Sequence, residues 1–99
     1  MSTDDLFDAV KEWGKAHNIN NPDRQALKMF EEAGELVSEF CRNRYHNDAV
    51  KDAIGDIQVV LVILADIVGY DVRECFESAY NEIKDRTGKS INGGFVKDE

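Results

Sequence analysis

Proline occurs once in the 99 residues, cysteine twice, and the longest apolar stretch is the twelve residues from Ile57 to Val68, which still include Gln58 and Asp66. Each scarcity excludes something. With a single proline, at Pro22, no proline-rich linker or low-complexity tract divides the chain. The two cysteines, Cys41 and Cys75, fall on apolar helical faces and read as small hydrophobes, not as a disulfide in a reducing compartment. The apolar stretch is shorter than the roughly twenty residues that cross a bilayer, so no membrane helix is expected. Met1 to Asp5 has neither the basic start nor the apolar centre of a signal peptide, and a cytoplasmic protein is expected. Basic residues are also outnumbered, twelve against twenty acids, for a net charge of −8. That surplus repels nucleic-acid backbones and anionic membranes as main partners while favouring divalent cations.

What is present is enough apolar material, 42% of residues, to exclude a disordered tail. Residues 1–99 suit one acidic domain with a radius of gyration of roughly 13 Å and a thin core that self-association would extend. Helical spacing accounts for most of it. Thr3 is placed to cap a first helix, about 3–14, carrying Leu6, Phe7, Val10 and Trp13 on one face. Asn21 and Pro22 open a second, about 22–44, with Ala26, Leu27, Phe30, Ala33, Val37, Phe40 and Cys41 along one side. A third, about 48–68, is apolar nearly all round in its second half and should be the central element. Its Val59–Leu64 run fits a strand by periodicity alone, but its length and its alanines favour helix. Asp71 with Glu74 reads as a capping box for a fourth helix, about 71–87, with Val72, Cys75, Phe76, Ala79 and Ile83 on its apolar face. Residues 88–99 read as a glycine-hinged tail. The fold class expected is all-α, an oligomeric four-helix bundle-like domain.

The chemistry concentrates on two helices. At about 100° per residue, Lys28, Glu32, Glu35 and Glu39 share an arc of roughly 60° on the second. Alone, such a stripe is an ordinary solvated surface with a Lys28–Glu32 pair one turn apart. On the third helix, however, Asp52 and Asp56 share a face with Val59, Val60 and Ile63. An unpaired carboxylate in such a setting costs several kcal/mol unless it is neutralised, paired or bound to metal. Either a cation such as Lys84 or Arg86, or Mg²⁺, meets that need. Glu32 and Glu35 facing Asp52 and Asp56 would make an all-oxygen site suited to Mg²⁺ or Mn²⁺. His17 and His46 lie near loops and read as surface residues. Gly88-Lys89-Ser90 mimics the end of a P-loop but follows a helix and lacks the first glycine.

Gln25, Lys28, Glu31-Glu32-Ala33-Gly34-Glu35-Leu36, then Asp52-Ala53-Ile54-Gly55-Asp56, then Asn81, Lys84 and Arg86, resemble the MazG-like all-α nucleoside triphosphate pyrophosphohydrolases over roughly residues 22 to 97. The short, single-domain phage forms are the most similar. The resemblance implies a homodimer or homotetramer, Mg²⁺ held by Glu32, Glu35, Asp52 and Asp56, and hydrolysis of a (d)NTP at the α–β anhydride to a monophosphate and pyrophosphate. Lys28, Asn81, Lys84 and Arg86 would bind the nucleotide. Glu32 or Glu35 would orient or deprotonate the attacking water, and spacing does not separate base from ligand. One departure is visible: the second family motif is usually ExxD, whereas Ala53 stands three residues before Asp56 and Asp52 four. Trp13 and Tyr80 read either as base-stacking groups or as packing residues. The competing function is a non-enzymatic acidic helical interaction protein, such as a phage accessory factor. An acidic carrier protein is disfavoured because the Asp-Ser-Leu attachment motif is absent.

Overall fold

A computed structural model describes residues 1–98: helices α1 (Thr3–Ala16), α2 (Pro22–Cys41), α3 (Asp48–Ile67) and α4 (Val72–Ile83), then strands β1 (Gly88–Ile91) and β2 (Gly94–Lys97). Each helix start has an identifiable cause. The Ser2 hydroxyl accepts from the Asp5 amide at 3.1 Å while the Asp5 carboxylate accepts from the Ser2 amide, a reciprocal capping box one residue earlier than the expected Thr3 cap. Asn21 accepts from the amides of Asp23 and Arg24, with Pro22 in the first turn as its missing N–H allows. Asn47 accepts from the Val50 amide. Asp71 accepts from the Arg73 amide; the expected capping box with Glu74 is replaced by a carboxylate that grips Arg73.

Two helix ends fall short of the sequence reading. α2 stops at Cys41, not Arg44, because Asn43 takes the left-handed conformation at φ 57°. α4 stops at Ile83, not 87. The tail is a further correction: residues 88–97 form an antiparallel hairpin pairing Gly88 with Lys97 and Ile91 with Gly94. Asn92 and Gly93 make its two-residue turn with φ 51° and 78°, both positive, as the primed hairpin turns require. At Gly88 a side chain would run into the Val96 carbonyl and the Phe95 ring, so only glycine fits there.

α3 is the central element, as its sequence implies. Among the described residues, the buried apolar side chains are Val50, Ala53, Val60, Val62 and Ile63, all on this helix. Complete burial of a valine or isoleucine contributes about 1.5–3 kcal/mol, so this short row carries much of the hydrophobic stabilisation. α1, α2 and α4 each pack against α3, and among the described residues α1 and α2 do not pack on each other. The chain bends by 104° between α3 and α4. The four helices therefore form an open arrangement around α3, not a closed bundle, and the radius of gyration is 16.0 Å, above the expected 13 Å. Leu27, Phe30 and Val37, expected on the buried side of α2, lie exposed, as do Cys41, Cys75 and Phe76. Among the described residues, no single helix is long and apolar enough to cross a membrane.

A candidate anion and metal site between α2 and α3

The first half of the α2 stripe faces a cavity of about 550 Å³ whose wall includes Lys28, Glu31 and Glu32 from α2, Asp56 and Val60 from α3, and Trp13 from α1. Arg24 and Gln25 complete the α2 side. Arg24 continues the Lys28–Glu32 row one turn back, a spacing visible in the sequence, and the structure adds it to the residues expected here. α1 reaches the cavity because Gly14 lies buried against Ile63, where a Cβ would stand 3.1 Å from the isoleucine Cγ1. The close approach places the neighbouring Trp13 at the rim, half-exposed at 51%.

Glu32 is the unusual member. Only 5% of it is exposed, making it the one buried charged residue among those described. Its Oε1 lies 3.2 Å from the Lys28 ammonium, while its Oε2 is buried with no partner among the described residues. The hydrogen bond and charge of Glu32 push the Lys28 pKa above 10.5, so this ammonium is fully protonated at neutral pH. One oxygen of a buried carboxylate is thus satisfied and the other is not, a condition that costs free energy until a cation or donor arrives. The sequence assigned this desolvation problem to Asp56; the structure leaves Asp56 exposed and moves the problem to Glu32.

The other expected site residues divide. Asp56 lines the cavity with Glu32 and Lys28, and together with Asp52 also lines a second depression beside Leu6, Phe7 and Lys51. Glu35 is exposed and contributes to neither wall. Asn81 in the last turn of α4, and Lys84 and Arg86 just after it, lie exposed and line neither depression; Arg86 pairs instead with Glu82 at 3.3 Å. Glu39, the last acid of the stripe, accepts from Asn47 and pairs with Arg44 at 3.0 Å, tying the α2–α3 turn. Among the described residues, no group of three or more His, Cys, Asp or Glu side chains is close enough to hold a metal ion. His17 and His46 are exposed, as expected.

Mg²⁺ commonly binds through one or two carboxylates and completes its shell with water and substrate phosphate oxygens. The bare Glu32 oxygen, with Asp56 across the same cavity, fits that mode; a four-carboxylate cage is not formed within one chain.

The chain is similar to the "Uncharacterized 18.2 kDa protein in rep-hol intergenic region" of Haemophilus phage HP1, with 40% identity over 63 residues. The match covers 61% of this chain and 37% of that protein's length. No protein-family model matches the chain, and no solved structure matches it.

Proposed function

We propose that this protein hydrolyses a nucleoside triphosphate at the α–β anhydride, NTP plus water giving NMP and pyrophosphate, in a Mg²⁺- or Mn²⁺-dependent reaction and within a MazG-type all-α fold. The observation that carries the reading is the unpartnered, buried Glu32 Oε2 in a cavity that also presents Lys28, Arg24 and Asp56. A triphosphate brings negative oxygens that the two cations can meet, and its metal brings the charge that Glu32 and Asp56 lack. Bound there, the metal would neutralise the non-bridging oxygens and lower the pKa of a bound water. Glu32, held by Lys28, would act as ligand or orient the water; Glu35, one turn on, is exposed outside the cavity and would take part only in a different side-chain arrangement. Asn81, Lys84 and Arg86 belong to this reading only if another chain presents them, since in their own chain they do not line the cavity.

Self-association as a homodimer or homotetramer is part of the same proposal. Leu27, Phe30, Gly34, Val37 and Cys41 follow alternating three- and four-residue steps along α2, the spacing of a helix-pairing seam, and all five are exposed. The phage relative is compatible with a phage role and says nothing of activity.

The test is direct. The chain incubated with Mg²⁺ and each (d)NTP should release pyrophosphate and monophosphate in equal amounts, and Glu32→Gln should lower the rate by about 10²-fold or more while helicity is kept. Absence of pyrophosphate with every nucleotide rejects the reading. The alternative, an acidic interaction protein without enzymatic activity, draws on the many exposed apolar side chains. In that case Mg²⁺ and nucleotide would leave the melting temperature unchanged.

A further inference from the structure

Among the described residues, the C-terminal hairpin has no backbone contact with any helix of its own chain, yet it carries exposed Ile91, Phe95 and Val96. Opposed residues of an antiparallel pair point to the same side, so Lys89, Ile91 and Val96 share one face while Phe95 turns to the other and lies over Gly88. The arm is also charged against the trend of the molecule: residues 84–98 hold four basic and two acidic side chains, residues 1–83 eight basic and seventeen acidic.

A complementary surface lies on the body. Between α3 and α4 runs an uncovered apolar groove of about 660 Å³ that includes Leu61, Val68, Val72, Cys75 and Phe76. Phe7 and Phe76 continue it into a smaller depression whose rim carries Glu77. Glu77 makes no ion pair among the described residues, and Arg73 beside it is already occupied by Asp4, Asp8 and Asp71. The groove is therefore apolar along its floor and acidic at its edge. The arm offers two apolar side chains flanked by a lysine.

We infer that the hairpin of one chain docks in the α3–α4 groove of a second copy, with Ile91 and Val96 on the apolar floor and Lys89 against Glu77. Exchanged between two copies, the contact is isologous and closes at a dimer. This rests on the self-association reading and is independent of the catalytic one.

Cysteine pairing tests it in the full-length chain. One chain carries Cys41→Ser and keeps Cys75 in the groove. The other carries Cys41→Ser, Cys75→Ser and Gly94→Cys, where an added Cβ meets nothing closer than 3.7 Å on the Lys89 face. Oxidation of the mixture should link the two chains, Lys89→Glu in the arm should lower the yield several-fold, and Glu77→Lys in the groove chain should restore it. A third chain carrying only Cys41→Ser and Gly94→Cys holds both cysteines; a link that forms only inside that chain, or none in either arrangement, overturns the proposal. Sedimentation of the same samples separates the failures: a monomer removes the self-association reading, whereas an unlinked dimer removes only the arm.

Discussion

Gly14 shows how one residue positions a site it does not line. Helix propensity alone says that alanine there should gain about 1 kcal/mol. The Ile63 side chain already stands at 3.1, 3.3 and 3.4 Å from the place a Cβ would take, and overpacking a filled position costs about 1–3 kcal/mol. Ile63 is itself buried, at 4% exposure, although it also borders the cavity between α2 and α3. Gly14→Ala should therefore lower the urea midpoint by the equivalent of about 1 kcal/mol. Gly14→Ala combined with Ile63→Val should recover part of the loss, and a Gly14→Ala chain as stable as the parent would show that α1 is not seated on this contact. Nothing in the sequence marks Gly14 as more than a helix-ending residue. Its role depends on a side chain 49 positions away.

At the scale of elements, α1 is joined to the α3–α4 corner by charge. Arg73 reaches Asp8 at 3.1 Å and Asp4 at 3.2 Å, its guanidinium 5.9 Å from the Phe7 ring centroid, and Lys11 bridges Asp66 and Asp71 at 3.8 Å each. The Arg73 side chain and backbone hold the Asp71 carboxyl far below its ordinary value of 3.8. Because the folded-state pKa is depressed, the contribution of Asp71 is complete above pH 3.8 and disappears only as pH falls through the lowered value. Denaturant midpoints of the parent and Asp71→Asn should keep a constant gap from pH 7 to pH 4 and converge in stronger acid. Since Asp4 and Asp8 are largely exposed, the gap should be modest and should narrow in 1 M salt. A gap that widens in acid would contradict the assignment. The helices themselves were legible: Asn21 with Pro22, and Asp71, are start signals that the structure uses, whereas the Asn47 cap of α3 is seen only in the structure. The hairpin was legible too, in Asn92-Gly93 between Ile91 and Phe95, the commonest two-residue hairpin signal, although its glycines suggest only a hinge when read as composition.

For the whole molecule the decisive quantity is how little one chain buries. Among the described residues, five apolar ones, all on a single helix, are buried, while Phe30 is 78% exposed and Phe76 76%. Apolar surface of that extent favours association. Sedimentation should give a mass above that of one chain, and Phe30→Lys should shift it towards the monomer without loss of helicity. An unaltered mass would move the seam away from α2. The stripe Lys28, Glu32, Glu35, Glu39 was readable as a row on one helix, but its members diverge in space: Glu32 goes inward, Glu35 stays in solvent, and Glu39 is taken by Asn47 and Arg44.

Local rules therefore account for the helices, their start signals and the acidic stripe, because capping, spacing and charge act within a few residues along the chain. Which glutamate loses its water, which glycine admits a neighbouring helix, and which apolar face is left uncovered are consequences of how α1, α2 and α4 lean on α3. Those depend on distances between residues far apart in the chain, where burial is decided by the packing of whole helices and not by the order of side chains within one.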